Sequence, residues 1–156
     1  MSRHEISASV TGSLPAIAGI ILIVGAGGGF KQTVVDTGVA DEISQLASHL
    51  PISPLVVGWT LAVLIRLATG SATVATTTAA GIVSPLAATL DPFHVSLLVL
   101  AVGAGSLFLS HVNDAGFWLV KEYFGMSVGE TLRTWSVMER AISVLGIVFV
   151  LLVSLL

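Results

Sequence analysis

Four polar residues stand close together at the end of a long apolar run. Ser110, His111, Asn113 and Asp114 come just after "FHVSLLVLAVGAGSLF" and before "AGFWLV". An amide offers both a donor and an acceptor, a carboxyl group can hold or release a proton, and histidine titrates near neutral pH. We therefore predict a solute site in which Ser110 and Asn113 contact the substrate, while Asp114 and His111 carry a proton.

A second unusual residue is Arg66, the one charge in the apolar block from 52 to 68. An arginine at the centre of a membrane helix costs about 2.5–3.5 kcal/mol on insertion scales, so a deep arginine needs a partner. The candidates are a substrate carboxylate, Asp114 or carbonyl groups of the next turn. Near a membrane surface, the same side chain would extend to water at little cost. We predict the deep position, with Arg66 as a substrate contact.

The stretch "TGSAT" directly after Arg66 predicts a turn at Gly70 and Ser71. A helix that begins near Thr73 would direct its free N–H groups and the positive end of its dipole at whatever occupies the turn. Such a site suits an anionic or polyhydroxylated solute. For the threonines at 76–78, helix packing through small residues is the better explanation. We predict Gly70, Ser71 and Thr73 as further substrate contacts.

The composition indicates that the solvent of this chain is lipid. It has 156 residues, of which 54% are hydrophobic and only 10% charged, and a mean hydropathy of +1.00. A soluble domain carries about a quarter charged residues. Six basic residues and a net charge of −3 leave no basic patch, which excludes nucleic-acid binding. There is no cysteine, and neither a metalloprotease HExxH pattern nor a GxSxG elbow occurs, so we predict no enzyme, no metal site and no cofactor.

The apolar blocks predict a single all-α membrane region, since a spanning helix needs roughly 20 apolar residues. The apolar "AGFWLV" after Asp114 favours a helix break there over a membrane interface, where a capping Asn-Asp pair would also fit. The predicted segments are a transmembrane helix (14–30), an interfacial amphipathic helix (33–50), a re-entrant hairpin or two short spans (52–90), a broken transmembrane helix (93–124) and a C-terminal transmembrane helix (141–156).

Three long stretches resemble the C-terminal part of the gluconate permease family, the GntP-type sugar-acid:proton symporters. They read "GIILIVGAGGGFKQTVVDTGV", "IRLATGSATVATTTAAGIV" and "GSLFLSHVNDAGFWLVKEYFGMSVGETLRTWSVME", in that order. The resemblance covers most of residues 12–143. It implies the second repeat of an inverted-repeat ion transporter fold, in which a re-entrant hairpin and a broken helix meet at the substrate site. The hairpin tip then falls at "ATGSAT" and the break at "SHVNDAG".

The resemblance also implies proton-coupled uptake of gluconate or a related sugar acid by a multi-pass protein of the bacterial inner membrane. The proton would be the coupling ion. Members of the family are much longer than this chain, so we expect it to need a missing N-terminal half, or a second copy of itself, as a partner in the bilayer. The alternatives are a small membrane anchor or interaction subunit, or a non-functional fragment without a solute site. An intramembrane enzyme ranks lowest, because no nucleophile has an obvious base partner.

Overall fold

The structure is a computed structural model, and it describes residues 3–4, 6–12, 33, 36–37 and 52–156. The transmembrane helix predicted at 14–30 lies outside the described residues, as does most of the interfacial helix predicted at 33–50. Over the ranges that are described, all regular structure is helical and no strand occurs. The all-helical part of the predicted fold class therefore agrees with the structure.

Six helices follow one another in the described C-terminal stretch. They are α1 (Pro54–Thr69), α2 (Ala72–Ala87), α3 (Pro92–Ser106), α4 (Ala115–Tyr123), α5 (Val128–Arg133) and α6 (Trp135–Val153). The first three begin at side-chain caps: Ser53 accepts from the second residue after it, Ser71 from Val74, and Asp91 from Phe93 and His94. Such caps satisfy N–H groups that the first helical turn leaves free.

Two short connections position the site. Gly70 and Ser71, here called the site turn, join α1 to α2, and residues 107–114, here called the connecting segment, join α3 to α4. The chain thus leaves helical geometry at the two places where the sequence contains its turn residues and its polar cluster. The description of these pairs as a re-entrant hairpin and a broken membrane helix stays a prediction.

The core lies where α1 packs on α3, with α2 and α6 beside them. Its buried side chains are small or aliphatic, and they include Leu55, Ala62, Val83, Leu98, Ala101, Val102 and Ile147. Two glycines allow the close approach of α1 and α3. A Cβ at Gly58 would lie 2.7 Å from Leu98 Cδ1, and one at Gly105 would overlap the Trp59 carbonyl oxygen.

Among the described residues, one helical stretch, Val128–Val153, is long and apolar enough to cross a membrane by length and composition, with a mean hydropathy of 2.1. It contains α5 and α6, which are separated at Thr134. Helices α1, α2 and α3 are apolar but shorter. Large apolar side chains are exposed along α6, among them Leu145, Phe149 and Leu152. Lipid or further protein would cover such a surface.

The α1–α3 contact gives a first testable prediction. We expect Gly105→Ala to lower the melting temperature of the detergent-solubilised protein, because the new methyl group meets backbone of α1, and overpacking costs about 1–3 kcal/mol. The matched control is Gly103→Ala on the same helix. A Cβ there meets no atom within 4 Å, so the melting temperature should hold or rise slightly through helix propensity. Equal melting temperatures for both variants would contradict this account of the packing.

Candidate functional site

A cavity of about 410 Å³ lies where the site turn meets the end of the connecting segment. This volume falls within the roughly 300–1,000 Å³ of small-molecule sites. The residues that line it are Arg66, Thr69, Gly70, Ser71, Ala72, Thr73, Asn113, Asp114, Ala115 and Glu139. They come from α1, the site turn, α2, the connecting segment, α4 and α6, so the cavity depends on the packing of distant parts of the chain.

Arg66 is the centre of the polar network at this cavity. Its side chain is only 3% exposed, and its Nη2 donates to Asp114 Oδ2 at 2.6 Å and to Glu139 Oε2 at 3.3 Å. Its Nη1 donates to the carbonyl oxygen of Gly70 at 2.5 Å. One guanidinium therefore bonds to the carbonyl at the C-terminal end of its own helix and pairs with carboxylates from two other elements.

One donor of the same guanidinium stays unused. Within the described residues, the buried Nε of Arg66 has no hydrogen-bond partner. A buried donor without a partner costs about 1–3 kcal/mol, and more for a charged group. An acceptor brought in by a ligand could satisfy this nitrogen.

Asp114 caps the N-terminus of α4 and is bound on both of its oxygens. Oδ1 accepts from the backbone N–H of Gly116 at 2.8 Å. Oδ2 accepts from Arg66 and from the hydroxyl of Ser110, which is fully buried. The carboxylate is thus held by three donors, which fixes its position at the wall of the cavity.

Glu139 reaches the site from α6. Its Oε2 accepts from Arg66 Nη2 and from the backbone N–H of Ser110 at 3.1 Å. One turn earlier on α6, the hydroxyl of Ser136 donates to the carbonyl of Ser110. Two side chains of α6 therefore bind the backbone of Ser110, Glu139 at its N–H group and Ser136 at its carbonyl oxygen. The preceding Leu109 has a left-handed φ of 53°, a conformation that costs a non-glycine residue of order 1–2 kcal/mol.

The site turn is in direct contact with the connecting segment. Gly70 has a φ of 69°, and an added Cβ would overlap the carbonyl oxygen of Asn113 and lie 2.7 Å from its Cγ. The side-chain amide of Asn113 donates to the carbonyl oxygen of Leu67 at 3.0 Å. A glycine is needed at position 70 for two reasons, the positive φ and the absence of space.

Two helix N-termini meet at the cavity. Ser71 and Asp114 are the N-caps of α2 and α4, and both line it together with the first residues of their helices. Helix N-termini carry a partial positive charge, so their convergence favours an anionic group between them. In the described part of the chain, no group of three or more His, Asp or Glu side chains that could hold a metal ion is present.

The structure brings most of the predicted site residues together. Six of the eight line the one cavity: Arg66, Gly70, Ser71, Thr73, Asn113 and Asp114. Ser110 lies behind Asp114 as its hydrogen-bond donor. His111 is half-exposed and lies outside the lining, and its backbone carbonyl accepts from Asp114 N. The binding and proton-carrying roles of these residues stay predictions.

Sequence reasoning missed Glu139 and Ser136. Both lie on helix α6, which begins at Trp135, whereas the C-terminal transmembrane helix was predicted from 141. A weak signal was present: two polar residues three positions apart lie on one helix face. Nothing in their spacing points to Ser110 as the shared partner.

An apolar helical chain with buried charges around one small cavity is typical of membrane proteins that handle polar solutes. A family profile described as GntP family permease matches residues 1–156. The chain therefore belongs to the GntP family of permeases, and the resemblance found in its motifs is confirmed.

Several curated relatives share this sequence. A gluconate permease from Pseudomonas aeruginosa is 59% identical over 143 residues, which cover 92% of this chain and 32% of the relative. A high-affinity gluconate transporter from Escherichia coli is 47% identical over 154 residues, covering 99% and 35%. The Gnt-II system L-idonate transporter of Escherichia coli is 52% identical over 144 residues, covering 91% and 32%.

The chain spans about a third of the length of these relatives and corresponds to their C-terminal part. No solved structure matches it significantly.

The contact at the site turn gives a second prediction. We expect Gly70→Ala to reduce the yield of monodisperse protein in size-exclusion chromatography after heating, because it adds both backbone strain and a clash with Asn113. Gly125→Ala separates the two effects: Gly125 has a φ of 63°, but a Cβ there meets nothing within 4 Å. The Gly70→Ala loss should therefore clearly exceed the Gly125→Ala loss. Equal losses would show that strain alone matters at position 70.

Proposed function

We propose that this chain forms the substrate-binding part of a carrier that moves gluconate or a related sugar acid, together with a proton, across the bacterial plasma membrane. The observation that carries the proposal is the buried guanidinium of Arg66 at a cavity where two helix N-termini converge. A sugar acid combines one carboxylate with several hydroxyl groups, and the cavity offers a matching group for each.

The carboxylate of the substrate is assigned to Arg66 and the N-terminus of α2. A guanidinium binds a carboxylate through two parallel hydrogen bonds, and helix N-termini favour anions. Arg66 still has a free donor at Nε among the described contacts. The anion therefore has donors that the protein itself does not use.

The hydroxyl groups of the substrate are assigned to neutral polar groups on the same wall. Ser71, Thr73 and Asn113 line the cavity and can donate or accept hydrogen bonds. Neutral side chains suit the hydroxyl groups of a substrate, because they replace the water bound to those hydroxyl groups without adding charge. Gly70 lines the cavity beside them through its backbone, and the space that a Cβ would need there is filled by Asn113.

We assign α1 and α2 to a re-entrant hairpin and α3 and α4 to a broken membrane helix of an inverted-repeat fold. Helices α1 and α2 have 16 residues each and α3 has 15, shorter than the roughly 20 residues of a spanning helix. Non-helical backbone at membrane depth is tolerated where it faces protein or a watery cavity. The site turn and the end of the connecting segment both line the cavity.

The substrate class is supported by the relatives, whose names specify gluconate and L-idonate. Both compounds are hydroxylated carboxylates, in agreement with the lining of the cavity. Because the chain spans about a third of these proteins, we propose that transport requires an N-terminal partner segment or a second copy of the chain.

A transport assay tests this proposal. The chain is expressed in cells without their own gluconate permeases, once alone and once with the N-terminal two thirds of the Pseudomonas aeruginosa gluconate permease. We expect uptake of labelled gluconate in the co-expressing cells, and uptake by the chain alone would show that a second copy can replace the N-terminal segment. A properly inserted chain that supports no uptake in either arrangement would favour the membrane-anchor alternative.

Substitution of Arg66 gives a sharper prediction in the co-expressing cells. We expect Arg66→Gln to lower gluconate uptake at least about tenfold, since one charge-assisted hydrogen bond contributes about 1.5–3 kcal/mol. Arg66→Lys should recover only part, because lysine lacks the planar pair of donors. The matched control, Arg133→Gln, alters an exposed arginine outside the cavity and should keep wild-type uptake. Wild-type uptake by an inserted Arg66→Gln protein would remove Arg66 from the site.

A further inference from the structure

We propose that Glu139, and not Asp114 or His111, binds the transported proton, and that its protonation frees Arg66 to receive the carboxylate of the substrate. This inference rests on the proposed function. It concerns a residue on α6 that contacts the same guanidinium nitrogen as Asp114. The ionised carboxylate of Glu139 and the carboxylate of the substrate would thereby compete for one nitrogen, Arg66 Nη2, and a proton on Glu139 would favour the substrate.

The charges at the cavity require a proton before an anion can bind. The charged side chains in its described lining are one arginine and two carboxylates, Arg66, Asp114 and Glu139. With both carboxylates ionised the cluster carries a net negative charge, which a sugar acid would increase. One proton taken from water makes the cluster neutral, and the bound anion then meets no excess of like charge.

Asp114 and Glu139 differ in the hydrogen bonds that they accept, and this difference indicates which of them binds the proton. Asp114 accepts from Arg66 at 2.6 Å, from Gly116 N and from the hydroxyl of Ser110. Glu139 accepts on Oε2 alone, from Arg66 at 3.3 Å and from Ser110 N at 3.1 Å. Both oxygens of Asp114 accept hydrogen bonds, so a proton on either oxygen would displace a donor, and on Oδ1 it would displace the cap of α4. Oε1 of Glu139 accepts no hydrogen bond from the described residues and can take a proton without displacing a donor.

Within the described part of the chain, Asp114 is the one other base that faces Glu139, and it is the more tightly held of the two. The described charged groups that face it are Arg66 from α1 and Asp114 from the connecting segment. The neighbouring Arg140 points away, with its guanidinium 6.0 Å from the centre of the Phe108 ring. His111 does not line the cavity. Glu139 is therefore the loosely held carboxylate at this site.

Replacement of Glu139 by the substrate carboxylate at Arg66 is favoured by the unused donor Nε. A neutral Glu139 no longer attracts the guanidinium, so its hydrogen bond to Nη2 is open to replacement. A substrate carboxylate that spans Nη2 and Nε would take this bond over and also satisfy the buried Nε. Release of the substrate returns Nη2 to Glu139, which then loses its proton to water. Each cycle thus moves one proton with one carboxylate.

The test compares two transport modes in proteoliposomes that contain the chain and the N-terminal two thirds of the Pseudomonas aeruginosa permease. One mode is gluconate accumulation driven by a pH gradient, and the other is gluconate exchange at equal pH. For Glu139→Gln, we expect at least a tenfold loss of accumulation with exchange retained. Its apparent affinity for gluconate should also be independent of pH, whereas the wild-type Kd should rise towards about tenfold per pH unit at high pH.

Three further variants make the outcome decisive. Glu139→Asp keeps a titratable carboxylate on a shorter side chain and should recover part of the accumulation that Glu139→Gln loses, and Glu122→Gln, an exposed glutamate paired with Lys121, should behave as wild type. Asp114→Asn should lose exchange as well as accumulation.

Undiminished accumulation by Glu139→Gln would overturn the assignment, as would exchange without accumulation in Asp114→Asn. Loss of exchange in a folded Glu139→Gln protein would also overturn it. A wild-type assembly inactive in both modes would instead refute the proposed function.

Discussion

A buried positive charge sets the arrangement of the whole site. Arg66 is 3% exposed, and a charge at such a depth is tolerated only when it is paired and hydrogen-bonded. Its partners come from the site turn, from the N-terminus of α4 and from α6. Removal of one partner from such a network typically costs about 3–5 kcal/mol. The connecting segment and α6 are therefore bound to the position of this one side chain.

The local features of the site could be predicted from the sequence because their signals are short-ranged. Gly70 and Ser71 sit between two apolar blocks, and the structure ends α1 and begins α2 there. Asp114 precedes an apolar run and caps α4. Turn formation and capping depend on neighbours a few positions away, so the local sequence suffices to locate the turn and the cap.

The long-range features could not be predicted, since no local pattern in the sequence indicates which distant helix faces meet. Glu139 lies 73 positions after Arg66, in a stretch whose charges resemble a membrane flank. His111 is two positions from Asn113 but outside the cavity lining. In an irregular segment, neither helical nor strand periodicity tells which side chains share a face. Only the packing of α6 on the connecting segment determines that Ser110 and Glu139 meet.

The missing side chain at Gly70 has a mechanical consequence. The backbone of Asn113 occupies the space that a Cβ would need, and the amide of Asn113 grips the end of α1. The site turn and the connecting segment are packed too closely to slide past each other, so they would move together as one rigid unit. Any change in the shape of the cavity would then come from a displacement of α6, or from a rotation of this unit as a whole.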